Sequence, residues 1–266
     1  MTPTEWLWLN TYGQASFPSL RGYLPAMPPE DIQVRFTGAS GPATLGEAFR
    51  FYRMVTEAAA GTRPRMAMDF GCGWGRITRF FIRDFDKESL IGVDPLPLAV
   101  DICRDTNPWA TFTNIGLAPP VDLPDSSLDL VFAFSVFSHL TEKTHLSWLS
   151  EFARLLRPGG VLVVTTRKRS FITDCARIRA EEERSPVNTG AFVAFTDTAA
   201  ALARYDAGEY CNDPVGGGDG LPEETYGETC IPLAYARRRW TPEFSVVDFI
   251  DDPRRLNQNV IVARRT

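Results

Sequence analysis

The chain is poor in the side chains on which most acid–base and metal chemistry rests. Of its 266 residues only His139 and His145 are histidines, so an imidazole working near neutral pH has two candidates. The five cysteines (Cys72, Cys103, Cys175, Cys211 and Cys230) are odd in number, far apart and without a C-x-x-C pair. That argues against a zinc site or a disulfide framework, and a reduced cytoplasmic compartment is expected. The longest apolar stretch, residues 128–137, has the length of a buried strand and is too short to span a bilayer. The first ten residues lack the basic region and long apolar core of a signal peptide. A formal net charge of −5 leaves no basic excess to attract nucleic acid or anionic membrane.

A hydrophobic fraction of 44% is enough for a real core. The most informative segment is Met68-Asp69-Phe70-Gly71-Cys72-Gly73-Trp74-Gly75-Arg76. An apolar run leads into an acid, three glycines alternate, and a helix-compatible segment follows. This pattern predicts a strand, a tight turn and a helix start at which ligand can lie against backbone and helix N-terminal amides. The spacing is G-x-G-x-G, not the G-x-G-x-x-G of dinucleotide-binding folds.

Strand signals at residues 65–70, 90–94, 111–115, 128–135 and 161–166 alternate with helical stretches at 75–85, 97–105 and 143–156. Strands interleaved with helices at short intervals predict a doubly wound, mostly parallel α/β sheet. Before it, residues 44–60 suit a helix, with Thr44 as cap and Glu47 three positions on. Arg157-Pro158-Gly159-Gly160 is expected to end the third of these stretches and turn into the fifth strand. A helix at 232–240 and strands at 244–250 and 259–264 close the chain, the strands as a hairpin. The expected organisation is a cap (1–43), a core (44–166 and 242–266) and an insertion (167–241).

The order of motifs resembles a class I S-adenosylmethionine-dependent methyltransferase. Asp69-x-Gly71-x-Gly73-x-Gly75 resembles that family's first motif, and Ile91-Gly92-Val93-Asp94 its second. The segment 123–129 (LPDSSLD) resembles the approach to its fourth strand, Phe134-Ser135-Val136-Phe137-Ser138-His139-Leu140 the exit, and residues 151–160 the helix and turn before its fifth. The resemblance implies a Rossmann-like sheet of seven strands with an antiparallel C-terminal strand, and S-adenosylmethionine as cofactor. It places cofactor contacts at Asp69, Gly71, Cys72, Gly73, Gly75, Asp94, Pro95, Asn114, Ile115, Gly116, Leu117, Phe134 and Ser135.

The chemistry of these residues agrees. Glycines admit the methionine tail and ribose, and Asp94 can accept from both ribose hydroxyls, or else cap the following helix. Asp69 either sets a negative potential near the sulfonium or anchors the turn. Many family members carry an acid near the end of the third strand to face adenine. Here Asn114-Ile115-Gly116-Leu117 has none, so the Asn114 amide or a backbone carbonyl is expected to take that role, with Ile115 or Leu117 on one face of the base and Pro95 and Leu96 on the other. The side chains of Cys72 and Trp74 pack.

In-line methyl transfer depends on positioning, with a base where the acceptor must lose a proton. His139, following the fourth strand, is a candidate base, although in this family that position is often a structural His starting a helix. His145 suits the surface or packing. The family's Asn-Pro-Pro-aromatic motif for nucleic-acid amines is absent, and no carboxylates stand at that exit to hold a metal. The acidic stretch from Asp206 to Cys230 reads as a solvated loop, or as the source of acceptor contacts from Glu209, Glu228 or Tyr226. Tyr226-Gly227-Glu228-Thr229 resembles a segment of some small-molecule methyltransferases. The expected acceptor is therefore an oxygen, or a nitrogen, of a metabolite such as a sugar or a secondary-metabolism intermediate. The alternatives are a non-catalytic S-adenosylmethionine-binding protein and a nicotinamide-dependent oxidoreductase.

Overall fold

A computed structural model describes residues 1–182, 188–217 and 220–266. Gly218 and Asp219, the end of the glycine run and one acid of the insertion, lie outside the described residues. The chain forms two compact units, Met1–Ile115 with Leu128–Phe134, and Gly116–Ser127 with Ser135–Thr266.

The first unit opens with α1 (Pro3–Trp8), α2 (Gln14–Ser16), α3 (Glu30–Thr37) and α4 (Gly41–Ala59). Then come β1 (Ala67–Phe70), α5 (Thr78–Phe81), β2 (Leu90–Asp94), α6 (Pro97–Thr106), β3 (Thr111–Asn114) and β4 (Leu128–Ala133). β1 pairs in parallel with β2 on one side and β4 on the other, and β2 pairs in parallel with β3. Every residue of β1 and β2 is buried, as parallel strands covered on both faces require. Phe81 stacks on Phe132 at 4.4 Å and Tyr52 meets Phe81 edge-on at 4.8 Å. Each such aromatic pair adds roughly 0.5–1.5 kcal/mol beyond its burial.

Two helix expectations are corrected. α4 begins at Gly41, not residue 44, because Pro42 fits its first turn. Thr44 and Glu47 do not cap it: the guanidinium of Arg76 takes both, with Nη1 3.1 Å from Thr44 Oγ1 and 2.8 Å from Glu47 Oε2. The expected 75–85 helix shrinks to the four residues of α5. Gly71, Gly73 and Gly75 all have left-handed φ (73°, 54° and 79°), so the chain stays in turns before helical geometry begins.

The second unit contains α7 (Glu142–Leu155), β5 (Leu156–Thr166), α8 (Arg169–Ala180), α9 (Thr189–Val193), α10 (Thr198–Asp206), β6 (Cys211–Asp213), β7 (Glu228–Cys230), α11 (Leu233–Arg239), β8 (Phe244–Ile250) and β9 (Asn259–Arg265). β5 already includes Arg157-Pro158-Gly159-Gly160. The expected turn is an exposed entry to the strand, with φ of 80° at Gly159. β9 runs antiparallel to both β5 and β8, and β8–β9 is the expected closing hairpin. The seven strands make one sheet in the order β3-β2-β1-β4-β5-β9-β8, mostly parallel, as the sequence predicts. β6 and β7 form a separate two-stranded antiparallel ribbon.

His145 is a core residue here, not a surface one. It is fully buried, accepts at Nε2 from the Trp240 indole at 2.9 Å and lies edge-on to Phe137 at 5.0 Å. Burial holds its pKa down at about 3, so it is neutral across working pH. Among the described residues no helix is long and apolar enough to cross a membrane.

Candidate functional site

In the first unit the glycine turn leaves the end of β1 and folds against the end of β2. The Gly71 and Cys72 amides donate to the Val93 carbonyl at 2.8 and 3.0 Å, and Gly75 donates to Cys72 at 2.9 Å. The Gly73 amide donates to Asp94 Oδ2 at 2.9 Å. Asp94 Oδ1 accepts from the Leu96 amide, also at 2.9 Å, so this side chain both braces the glycine turn and ends the strand ahead of α6. Each carboxylate oxygen keeps a second acceptor site. Burial raises the Asp94 pKa, and the two amides oppose that shift. A Cβ built on Gly73 would meet only Phe36, at 3.7 Å, an ordinary contact.

Most of the remaining expected cofactor residues of this unit are tied into the protein. Asp69 is 1% exposed, and its Oδ2 accepts from Thr78 Oγ1 at 2.5 Å, which pins α5 to β1. Burial pushes its pKa up to about 7. Cys72 turns inward, its sulfur 3.2 Å from the Cβ position of Gly92. Trp74 is also buried, with Nε1 lacking a partner among the described residues. The Asn114 side-chain amide donates to the Asp94 carbonyl at 2.9 Å, and the Ile115 amide donates to the same oxygen at 3.1 Å. Asn114 Oδ1 is the remaining acceptor of that side chain. Pro95 and Ile115 are half-buried at the strand ends. The Phe134 ring meets Phe51 at 5.0 Å and lies under the Arg76 guanidinium at 4.8 Å.

Gly116, Leu117 and Ser135 belong to the second unit. Gly116 and Leu117 are exposed. Ser135 holds a left-handed φ of 59°, unusual for a residue with a side chain. Its amide donates to Thr165 Oγ1 at 2.7 Å and its hydroxyl accepts from Gln258 at 2.9 Å, which together fix that backbone.

The three expected catalytic residues come together in this second unit. The segment Ser138-His139-Leu140 lies beside Tyr226-Gly227-Glu228-Thr229: the Gly227 amide donates to the His139 carbonyl at 2.7 Å, and the Thr229 amide to the Ser138 carbonyl at 2.8 Å. The His139 ring stacks on Tyr226, with centroids 4.6 Å apart and planes 6° from parallel. Its Nδ1 lies 2.8 Å from the Gly227 carbonyl and 3.7 Å from Glu228 Oε2. Glu228 is forked by Arg167, Nε to Oε2 at 2.9 Å and Nη2 to Oε1 at 3.4 Å. Among the described residues no cluster of three or more His, Cys, Asp or Glu could hold a metal.

Other aromatic residues of this unit pack in its interior. Phe195 joins the buried cluster of Ile172, Cys175, Cys211 and Cys230, with Phe192 against it. Tyr210 donates its hydroxyl to the Leu140 carbonyl at 2.8 Å. Glu209 pairs at the surface with Arg204, at 3.5 Å.

Sequence reasoning missed three arginines. Arg76 and Arg79 follow the glycine turn directly, and Arg167 follows β5. Arg79 is 2% exposed and reaches the Pro25 carbonyl (2.7 Å) and the Asn10 carbonyl (3.3 Å), fastening the N-terminal segment. The only available signal was a charged residue inside an apolar stretch.

Residues 67–160 match the methyltransferase domain family. A trans-aconitate 2-methyltransferase from Methylobacterium radiotolerans is 34% identical over 101 residues, 38% of this chain and 37% of that protein. A fatty-acid O-methyltransferase from Mycolicibacterium smegmatis is 30% identical over 128 residues, 47% of this chain and 46% of that protein. The chain therefore spans less than half the length of either relative. A magnesium protoporphyrin IX methyltransferase from Synechocystis with bound SAH shares the fold, with a TM-score of 0.54 at 15% identity over 97% of both chains. The matched segment, the sheet order and the glycine turn braced by Asp94 agree: the chain carries a class I S-adenosylmethionine-dependent methyltransferase domain.

Proposed function

We propose that this protein transfers a methyl group from S-adenosylmethionine to an oxygen, or a nitrogen, of a small molecule. The observation that carries the reading is the Gly73–Asp94 pair: a glycine whose Cβ position meets nothing closer than Phe36 at 3.7 Å, next to a carboxylate held in place by two backbone amides. Those residues fit the cofactor, because a ribose needs two acceptors for its hydroxyls and a methionine tail needs a turn without side chains. Asp94 holds the ribose, Gly73 lies against the tail, and Asn114 and Ile115 take the base. Bound there, S-adenosylmethionine supplies an electrophilic methyl group on a sulfur that leaves readily.

The chain's own part is to bind, orient and exclude water. The insertion at 167–241 supplies Tyr226 and Glu228 to the acceptor, and His139 joins them. Acceptors named for the relatives are carboxylic acids, which places that class in the test alongside hydroxylated metabolites and amines. The test is transfer of a deuterated methyl group from S-adenosylmethionine to such a panel, read by mass spectrometry. Label on a small molecule supports the reading. S-adenosylhomocysteine forming no faster with any acceptor than without one contradicts it.

A further inference from the structure

His139 is committed at one ring nitrogen. Its Nδ1 faces the Gly227 carbonyl at 2.8 Å. A carbonyl can only accept, so Nδ1 carries the proton and Nε2 keeps its lone pair. Among the described residues Nε2 has no partner. Stacking on Tyr226 fixes the ring plane. The titratable or charged groups around this ring are Tyr226 on its face, Glu228 3.7 Å from Nδ1, and Arg167 forked onto Glu228.

Glu228 is 6% exposed. A carboxylate beside the ring favours a second proton on the imidazole. Arg167 opposes that. Its fork pairs both carboxylate oxygens, and its guanidinium is held in turn over the Phe171 ring at 4.4 Å.

We propose that Arg167 is a positioning residue: by pairing with the Glu228 carboxylate that stands 3.7 Å from Nδ1, it offsets that carboxylate's pull on a second proton and keeps His139 a neutral imidazole whose bare Nε2 removes the proton of a hydroxyl acceptor. This deepens, and rests on, the methyl-transfer reading. Nε2 takes the proton as the acceptor's O–H bond breaks. The freed oxygen pair forms the new O–C bond, and the pair of the broken C–S bond leaves with sulfur. A carboxylic acid is already ionised near neutral pH and needs no base. The arrangement therefore points to a hydroxylated acceptor.

The surroundings of His139 fix the sign of the test. Burial lowers its pKa, Glu228 raises it, Arg167 lowers it, and the Gly227 hydrogen bond raises it. The full chain labelled with 15N-histidine shows both imidazoles by NMR, and His145 does not interfere because it titrates only near pH 3. The wild-type spectrum should show His139 with its proton on Nδ1. Arg167→Met should raise the His139 pKa by about one pH unit or more, Glu228→Gln should lower it, and Arg167→Lys should stay near wild type. A proton on Nε2 in the wild type overturns the proposal without any variant. So does a shift of the same sign in Arg167→Met and Glu228→Gln, or no shift in either; Arg167→Lys and Glu228→Gln decide it if Arg167→Met does not fold. A parallel titration with S-adenosylhomocysteine separates the two readings: failure to bind sinks methyl transfer and leaves the imidazole result standing on its own.

Discussion

The Gly73 amide donates to Asp94 Oδ2 across 2.9 Å, joining the turn after β1 to the end of β2. The bond makes the turn and the carboxylate one rigid element. Asp94→Ala removes the acceptor for two backbone amides and, in the proposed function, for the ribose hydroxyls as well. Affinity for S-adenosylhomocysteine should fall at least ~100-fold, as loss of two charge-assisted hydrogen bonds implies. Calorimetric titration reads it, and an affinity equal to wild type contradicts the assignment.

Gly92 sits beneath the same turn. A Cβ there would stand 2.5 Å from the Phe112 ring and 3.2 Å from Cys72 Sγ. Gly92→Ala should destabilise the protein by about 1–3 kcal/mol, the usual cost of overpacking a filled core. Urea unfolding checks this, and a midpoint unchanged from wild type would show that the ring moves aside freely.

His145 makes stability depend on acid. Its folded pKa of about 3 lies below the ordinary value of 6.5, so between those limits the unfolded chain binds the extra proton. Its contribution is complete above about pH 6.5 and is lost as pH falls toward 3. Melting temperatures of wild type and His145→Gln should converge on acidification through that window. A constant gap between them refutes this.

Asp69 acts with the opposite sign. Its folded pKa of about 7 lies above the ordinary 3.8, so within that window the folded protein holds the extra proton. Stability from this group is present below about pH 4 and declines as pH rises to 7. Asp69→Asn keeps a neutral partner for Thr78 and is spared that decline. The melting temperature of the variant relative to wild type should therefore rise between pH 4 and 7; a flat difference means Asp69 is ionised throughout.

The sheet was legible because its signals are local. Strands β2 and β8 fall where apolar runs bounded by turn residues place them, and each motif marks a strand end. The glycine turn and Asp94 were legible for the same reason. Thr44 and Glu47 misled because the same spacing serves a cap or a cradle, and only the position of Arg76 decides between them. Sequence alone leaves His145 between surface and packing because the partner that receives it, Trp240, lies 95 residues away. The pairing of His139 with Gly227 and of Glu228 with Arg167 spans 88 and 61 residues, and no local pattern encodes it.

A crystal structure with S-adenosylhomocysteine tests the central claim most directly. The account predicts both ribose hydroxyls within about 3 Å of the Asp94 carboxylate and the thioether chain lying against Gly73. Ligand bound elsewhere, with Asp94 touching nothing but its two amides, would contradict it.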